Sequence, residues 1–315
     1  DVICTTPALQ ALREAFPGAY IAILVAEYSQ DAILGNPHVD EIFVYGKYKH
    51  GRSGNRLQAW TKMGKLFRKI RRHRFDLAIG MRSKFTRSLG WLVYLSGARF
   101  RLGFRAQKGE FFKFFFNLYA EPAHYPEHEV NRCFRLLRHI GIDSSLKGLT
   151  LCLFPEEEDK ALHSLQARGL SPGRPLIAIH PEARREANRW PVERFAQVGD
   201  FLMERYGAQV LLVGPPGEQI NHEVAGLMSK GPVLFPTASI RELAALIKHC
   251  SLFICSDGGS MHVAAAVGTP IIALFGDTDP REWAPWGDGH IVLKRGRKVE
   301  EIQVEEVCAA IQQVL

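Results

Sequence analysis

The stretch CSDGGSMHVAAAVGTP, Cys255 to Pro270, sets a carboxylate, two glycines, a hydroxyl and an imidazole ahead of a run of small apolar residues. The preceding SLFICS reads as a strand that delivers Asp257 to its carboxyl end. Gly258 and Gly259 let a ligand come close to the backbone and can take conformations closed to other residues. SMHVAAAVG then opens a helix whose free N–H groups and dipole favour an anion such as a phosphate. Ser260 and His262 add side-chain donors. A plainer reading makes Asp257 a helix cap. The conjunction of acid, paired glycines and histidine at a strand end favours an anion site.

The surrounding elements say what positions these groups. TPALQALREAFPG has helical spacing and stops at Pro17-Gly18. AYIAILVAEYS, VDEIFVYG, DLAIGM and RFRLGF read as strands. Between them lie the basic amphipathic RLQAWTKMGKLFRKIRRHRF and the helix TRSLGWLVYLSGA. RAQKGEFFKFFFN is aromatic and basic. It reads equally as a buried helix or as a mobile, membrane-facing lip, because aromatics flanked by lysine suit a bilayer interface. EHEVNRCFRLLRHIGI is a further helix, and a charged run starts another at Glu156. The pattern then restarts with the strand PLIAIHP, the helix PVERFAQVGDFLMERYG capped at Gly207, and the strand AQVLLVGPPGE. SIRELAALIKHC follows with a capping box, Ser239 to Glu242. PIIALFG is the next strand and VEEVCAAIQQVL the last helix. Strand–helix alternation predicts an α/β fold of parallel sheets covered on both faces. Two doubly wound units are expected, 1–152 and 153–315, with ligands bound beyond the carboxyl ends of the strands, in a cleft between the units.

Composition narrows the class. The chain has 315 residues, 46% of them apolar and 23% charged, as in a water-soluble protein. No run approaches the ~20 apolar residues of a membrane span, and no signal peptide is visible. Six cysteines form no CxxC pair, which favours reduced thiols and a cytoplasmic setting. The net charge of +7 is uneven. Residues 1–150 hold 24 Lys and Arg against 12 Asp and Glu, whereas 151–315 hold 16 against 21. A +12 half beside a −5 half predicts an anionic partner for the first unit. No nucleic-acid module is present, so a phosphorylated or acidic glycolipid is the favoured partner.

With these residues in view, CSDGGSMHVAAAVGTPIIALFGDTDP resembles the signature of family 9 glycosyltransferases, the ADP-heptose:lipopolysaccharide heptosyltransferases. DVICTTPALQALREAFPGA, FDLAIGMRSKFTRSLGWLVYLSGARFRLGF, IHPEARREANRWPVERFAQV and VLLVGPPGE are similar to further blocks of that family, in its order and over nearly the whole chain. The resemblance implies a GT-B fold of two Rossmann-like units facing across a cleft. It implies inverting, metal-independent transfer of a heptose from an ADP-sugar held by the C-terminal unit. The acceptor, an anionic lipopolysaccharide core, would go to the N-terminal unit. No cofactor is implied beyond the ADP-sugar substrate. The setting would be the cytoplasmic face of the inner membrane, with peripheral association.

Residue by residue, Asp1 matches the family's proposed catalytic base, which takes a proton from the acceptor hydroxyl. It equally fits a cap on the helix that follows. On this match the family's first strand is expected upstream of Asp1, at the centre of the N-terminal sheet. Asp257, Gly258, Gly259, Ser260, Met261 and His262 match the donor loop, whose amides would hold the diphosphate. Glu218 matches an acidic residue near the ribose, and fits equally as a surface residue starting a helix. Thr237, Ala238 and Ser239 fall where the family contacts adenosine. One position departs. The family's lysine two residues before Trp-Pro is here Asn188, which carries no charge to neutralise a leaving diphosphate. Arg184, Arg185 and Arg189 lie in the same loop, and an Arg fork binds phosphate bidentately, so one of them is expected to substitute.

DTD, Asp277 to Asp279, has the form of a metal-binding pair from glycosyltransferases of a different fold. In its turn before Pro280 it reads instead as a loop presenting Thr278 or a backbone group to the donor. The histidines show no metal-ligand spacing. Other readings remain open: a transferase of the same fold using another nucleotide sugar, a silent binder of lipopolysaccharide core or nucleotide sugar, and a nicotinamide-dependent oxidoreductase. The last would need a GxGxxG motif that is not visible.

Overall fold

The computed structural model describes residues 2–46, 56–82, 85–105, 112–144, 148–170 and 173–315. It divides into two compact units, Val2–Lys147 and Gly148–Leu315.

The second unit is built on one six-stranded parallel sheet. Its strands are β6 (Leu176–His180), β7 (Gln209–Gly214), β8 (Val233–Pro236), β9 (Leu252–Ser256), β10 (Ile271–Phe275) and β11 (His290–Lys294). Their order across the sheet is β11-β10-β9-β6-β7-β8. Chain order therefore reverses between β6 and β9, the doubly wound arrangement whose ligands bind at that reversal. There Ile177 pairs with Leu252 and His180 with Cys255. β9 and β10 are buried throughout, because the sheet is covered on both faces and each strand feeds both layers. Ile177, Ile179, Leu252 and Ile254 join Trp190, Phe195 and Leu202 in one layer. Ala178, Phe253 and Cys255 join Leu246, Met261 and Phe275 in the other. Completely burying a side chain of this size is worth about 1.5–3 kcal/mol, so the strand ends are held by a well-filled core.

Local signals account for the helix ends. Gly207 takes a φ of 61° just past the helix Val192–Arg205, a conformation that costs a Cβ-bearing residue energy. Ser239 accepts from the Glu242 amide at 3.1 Å as expected. The Glu242 carboxylate, however, takes the amide of Ala238 at 2.8 Å, one residue earlier than a capping box requires.

The first unit holds two parallel ladders. β1 (Ala22–Ala26) pairs with β2 (Glu41–Tyr45). β3 (Leu77–Ile79), β4 (Phe100–Phe104) and β5 (Leu118–Ala120) form the other. Among the described residues the two ladders do not join. Helices Thr6–Ala15 and Glu129–Arg138 pack on each other. The basic run from Lys65 lies in the helix Arg56–Arg72, whose inner face places Phe67 and Ile70 against Phe43. The aromatic segment is in part a buried helix. Phe115 and Phe116 are core residues, whereas Phe114 is 49% exposed and stacks on Tyr94 with ring centroids 4.6 Å apart. Phe111 lies outside the described residues. No described helix is long and apolar enough to cross a membrane. All six cysteines are free thiols, and burial pushes the Cys250 thiol up to about 12.

Candidate functional site

β9 ends at Ser256, and the chain leaves the sheet edge at Asp257. The Asp257 carboxylate does not cap the following helix, Gly259–Ala266. Its N-cap is Gly258, and no side chain bonds the helix amides there. Asp257 instead accepts from Asn188 Nδ2 at 2.8 Å and from the hydroxyl of Thr278. Burial raises its pKa, against the lowering effect of those hydrogen bonds and of nearby Arg185 and Lys294.

Among the described residues, the amides of Gly258, Gly259 and Ser260 find no acceptor in the protein. An uncapped helix start carries partial positive charge and unsatisfied donors, so this one is chemically ready for an anion. The glycines serve this in one of the two ways expected. Gly258 has φ −178° and ψ 179°, extended backbone open to any residue, and Gly259 is helical. Neither has a positive φ. A Cβ on Gly259 would meet nothing within 4 Å. What the pair supplies is bare backbone that a ligand can reach, and Gly259 is exposed.

Two members of the expected donor loop face elsewhere. Met261 is fully buried in the core, and its amide bonds the Gly258 carbonyl at 3.3 Å, so it is not an open donor. His262 is buried beside Trp283, ring centroids 6.3 Å apart. Ser260 stays half-buried at the helix start.

The loop after β6 supplies the second wall. Trp190 is buried and donates from Nε1 to Ile302 O at 2.9 Å, which anchors the loop to the core. Asn188 is 2% exposed. Besides Asp257, its Nδ2 reaches Thr278 Oγ1 at 3.2 Å, while its Oδ1 accepts from the Asp277 amide at 3.2 Å. This one side chain thus ties together the loops after β6, β9 and β10. A Cβ on Gly276 would lie 2.1 Å from Ala187 O and 2.7 Å from Asn188 Oδ1, so glycine is needed for the loops to meet. Arg189 turns back on its own loop, donating to Ala183 O at 2.9 Å and to Glu182 at 3.2 Å; it is not a free substitute for the absent lysine. Arg184 and Arg185 are exposed, with Arg185 near enough to influence Asp257. Asp277 pairs with Arg297 at 3.2 Å and Asp279 with Arg281 at 2.7 Å. Asp279 also caps the turn Pro280–Trp283. Thr278 faces Asn188 and Asp257 as part of the same network.

The remaining expected contacts gather at the carboxyl ends of β7 and β8. Glu218 precedes the helix Gln219–Leu227 and folds back over Gly214, where a Cβ would lie 2.0 Å from Glu218 Oε2. That oxygen is buried without a partner among the described residues. Burial, with Glu182 nearby, lifts the Glu218 pKa to about 6. Thr237 donates its amide to Gly214 O at 2.8 Å, so the Thr237–Ser239 segment continues the same edge. Asp1 lies outside the described residues.

The sheet reversal, the open amides after Asp257 and the anchored β6 loop together form one edge with unsatisfied donors suited to an anion. Residues 63–311 match glycosyltransferase family 9 (heptosyltransferase).

The chain belongs to glycosyltransferase family 9.

It is 29% identical over 338 residues to lipopolysaccharide heptosyltransferase 3 of Escherichia coli strain K12, covering 100% of this chain and 95% of that one. Lipooligosaccharide heptosyltransferase 2 of Haemophilus influenzae is 33% identical over 128 residues, 38% of this chain and 37% of its own length. The glycosyl transferase family 9 structure from Veillonella parvula superposes with a TM-score of 0.88 at 25% identity, covering 99% of this chain and 93% of that chain. The E. coli heptosyltransferase WaaC, solved with ADP, shares the fold at TM-score 0.79 and 18% identity, covering 100% and 96%. The fold class is accordingly α/β of the GT-B type, with two Rossmann-like units.

What the sequence did not show is the network: Thr278 and Asn188 were named there, as a residue presented to the donor and as a departing position, but their bonds to each other and to Asp257 need the tertiary meeting of three loops. Lys294, not singled out in the sequence, ends β11, a strand of half-buried residues whose short apolar run, Ile291 to Leu293, gives no sign of a site.

Proposed function

We propose that this enzyme moves a heptose from ADP-heptose to the inner core of lipopolysaccharide with inversion at the anomeric carbon. The observation that carries the reading is the uncapped start of the helix Gly259–Ala266, placed by β9 at the sheet's reversal point. The open amides of Gly259 and Ser260 suit a diphosphate, and family membership and the names of the relatives supply the sugar and the acceptor class. In this reading an acceptor hydroxyl attacks the anomeric carbon as the bond to the ADP oxygen breaks. The electron pair leaves with ADP, and the hydroxyl proton passes to a base, for which Asp1 is the candidate. Negative charge gathers on the departing diphosphate, where fixed donors stabilise it most. The ADP-sugar is itself the activated substrate, so the proposed reaction uses no further cofactor and no metal.

The +12 balance of residues 1–150 supports an acceptor bearing acidic sugars and phosphates. The basic helix Arg56–Arg72 and the exposed Trp91 and Phe114 support peripheral attachment to the cytoplasmic face of a membrane. The test is ADP release from ADP-heptose, with and without a core lipopolysaccharide lacking the terminal heptose. Acceptor-dependent ADP release with a product heavier by one heptose is the expected result. Tight ADP-heptose binding without turnover would make the protein a binder, and turnover of a different nucleotide sugar alone would replace the donor.

A further inference from the structure

Asn188 is committed on three sides, to Asp257, Thr278 and Asp277, and is uncharged. Of the arginines in its loop, Arg189 is folded back onto Glu182 and Ala183. Arg184 and Arg185 stay exposed in that loop, with Arg185 close enough to act on Asp257, and a further cation faces the same network from β11. At the end of β11, a cavity of about 550 Å³ is lined by Asp277, Asp279, Arg281, Lys294 and Arg297 together with Pro280 and Gly296. Its two aspartates are each matched by an arginine, Asp277 with Arg297 and Asp279 with Arg281. Lys294 is the third cation of that wall. Among the described residues no carboxylate lies within ion-pair distance of its Nζ. That Nζ instead donates to two backbone carbonyls of the loop after β10, to Gly276 O and, at 3.1 Å, to Thr278 O. An ammonium has three donors, and these bonds use two. Thr278 is the residue whose hydroxyl meets Asp257 and Asn188. The one cation of the cavity wall without a direct ion pair among the described residues is therefore bonded to the backbone of Thr278, whose side chain belongs to the network beside the open amides.

We infer that Lys294 supplies, from β11, a cation that holds the donor diphosphate and makes up for the charge that Asn188 cannot carry. The inference rests on the donor reading above and deepens it. It assigns this role to a position more than a hundred residues away in the chain from Asn188, on a different strand. A lysine so held acts as a fixed point charge. Its two carbonyl bonds aim it without neutralising it.

The test is calorimetric titration of ADP and of adenosine into the wild-type chain and into Lys294→Gln and Lys294→Arg. A charge-assisted contact to phosphate at a partly solvated position is worth about a factor of ten in Kd. Lys294→Gln is expected to weaken ADP about tenfold and leave adenosine unchanged, and Lys294→Arg to stay within about threefold of wild type for both. Equal ADP affinity in wild type and Lys294→Gln would overturn the inference while leaving the donor reading intact. An equal loss for ADP and adenosine would overturn it too, making Lys294 a loop strut. A wild-type chain that does not bind ADP would remove the donor reading, and this inference with it.

Discussion

Replacing Asn188 by alanine removes the link between three loops, and the structure sets the size of the effect. The bond from Nδ2 to the Asp257 carboxylate, 2.8 Å, is charge-assisted and is worth about 1.5–3 kcal/mol. The bonds to Thr278 and from the Asp277 amide are both 3.2 Å and are worth about 0.5–1 kcal/mol each. The side chain is 2% exposed, so water does not readily take its place. Asn188→Ala is expected to destabilise the second unit by about 3 kcal/mol. It should also open the Asp277 amide to exchange, since that bond then protects nothing. Urea unfolding gives the first quantity and hydrogen exchange at Asp277 the second. Asn188→Asp sharpens the test. It keeps the shape but sets a second carboxylate against Asp257, whose pKa burial already raises. Two such groups cannot both ionise cheaply. The aspartate variant should therefore be worse than the alanine variant at pH 8 and recover part of the difference as acid protonates the pair. A loss below about 0.5 kcal/mol for alanine, with no pH dependence for aspartate, would refute the strut.

Gly276→Ala is expected to cost about 1–3 kcal/mol and to weaken ADP binding, because its Cβ would collide with Ala187 O and Asn188 Oδ1; thermal unfolding and ADP titration measure the two effects. Glu218→Gln probes the buried carboxylate at the β7 edge. With the Glu218 pKa lifted from 4.5 to about 6, its contribution is fully present below about pH 4.5 and is lost as pH rises through about 6. The glutamine variant should thus match wild type at pH 4.5 and gain about 1 kcal/mol at pH 8, the figure reduced because the group is partly solvated. Melting temperatures at the two pH values check the sign, and no gain at pH 8 would contradict it.

Much of the second unit was legible in its sequence because β6, β7, β9 and β10 are buried on both faces and read as unbroken apolar runs. The turn after β9 was legible because an acid, two glycines and a helix start fall together. Less visible were β5, β8 and β11, whose short or half-buried runs resemble loops, and the helix Gln219–Leu227, which follows a Gly/Pro turn. The glycines of the donor loop were assigned a conformational role, yet Gly258 is simply extended. Bare backbone and special φ look alike in a sequence. Asn188 looked like a loss of charge. Its gain, three bonds among loops far apart in the chain, exists only once β6, β9 and β10 lie side by side.

The central claim is that the diphosphate of the donor lodges on the amides that follow Asp257. A crystal structure of the chain with ADP tests it most directly. The account predicts phosphate oxygens within hydrogen-bond distance, about 2.7–3.2 Å, of the Gly259 and Ser260 amides. A nucleotide bound away from the Gly258–Ser260 turn, with those amides still facing solvent, would contradict it.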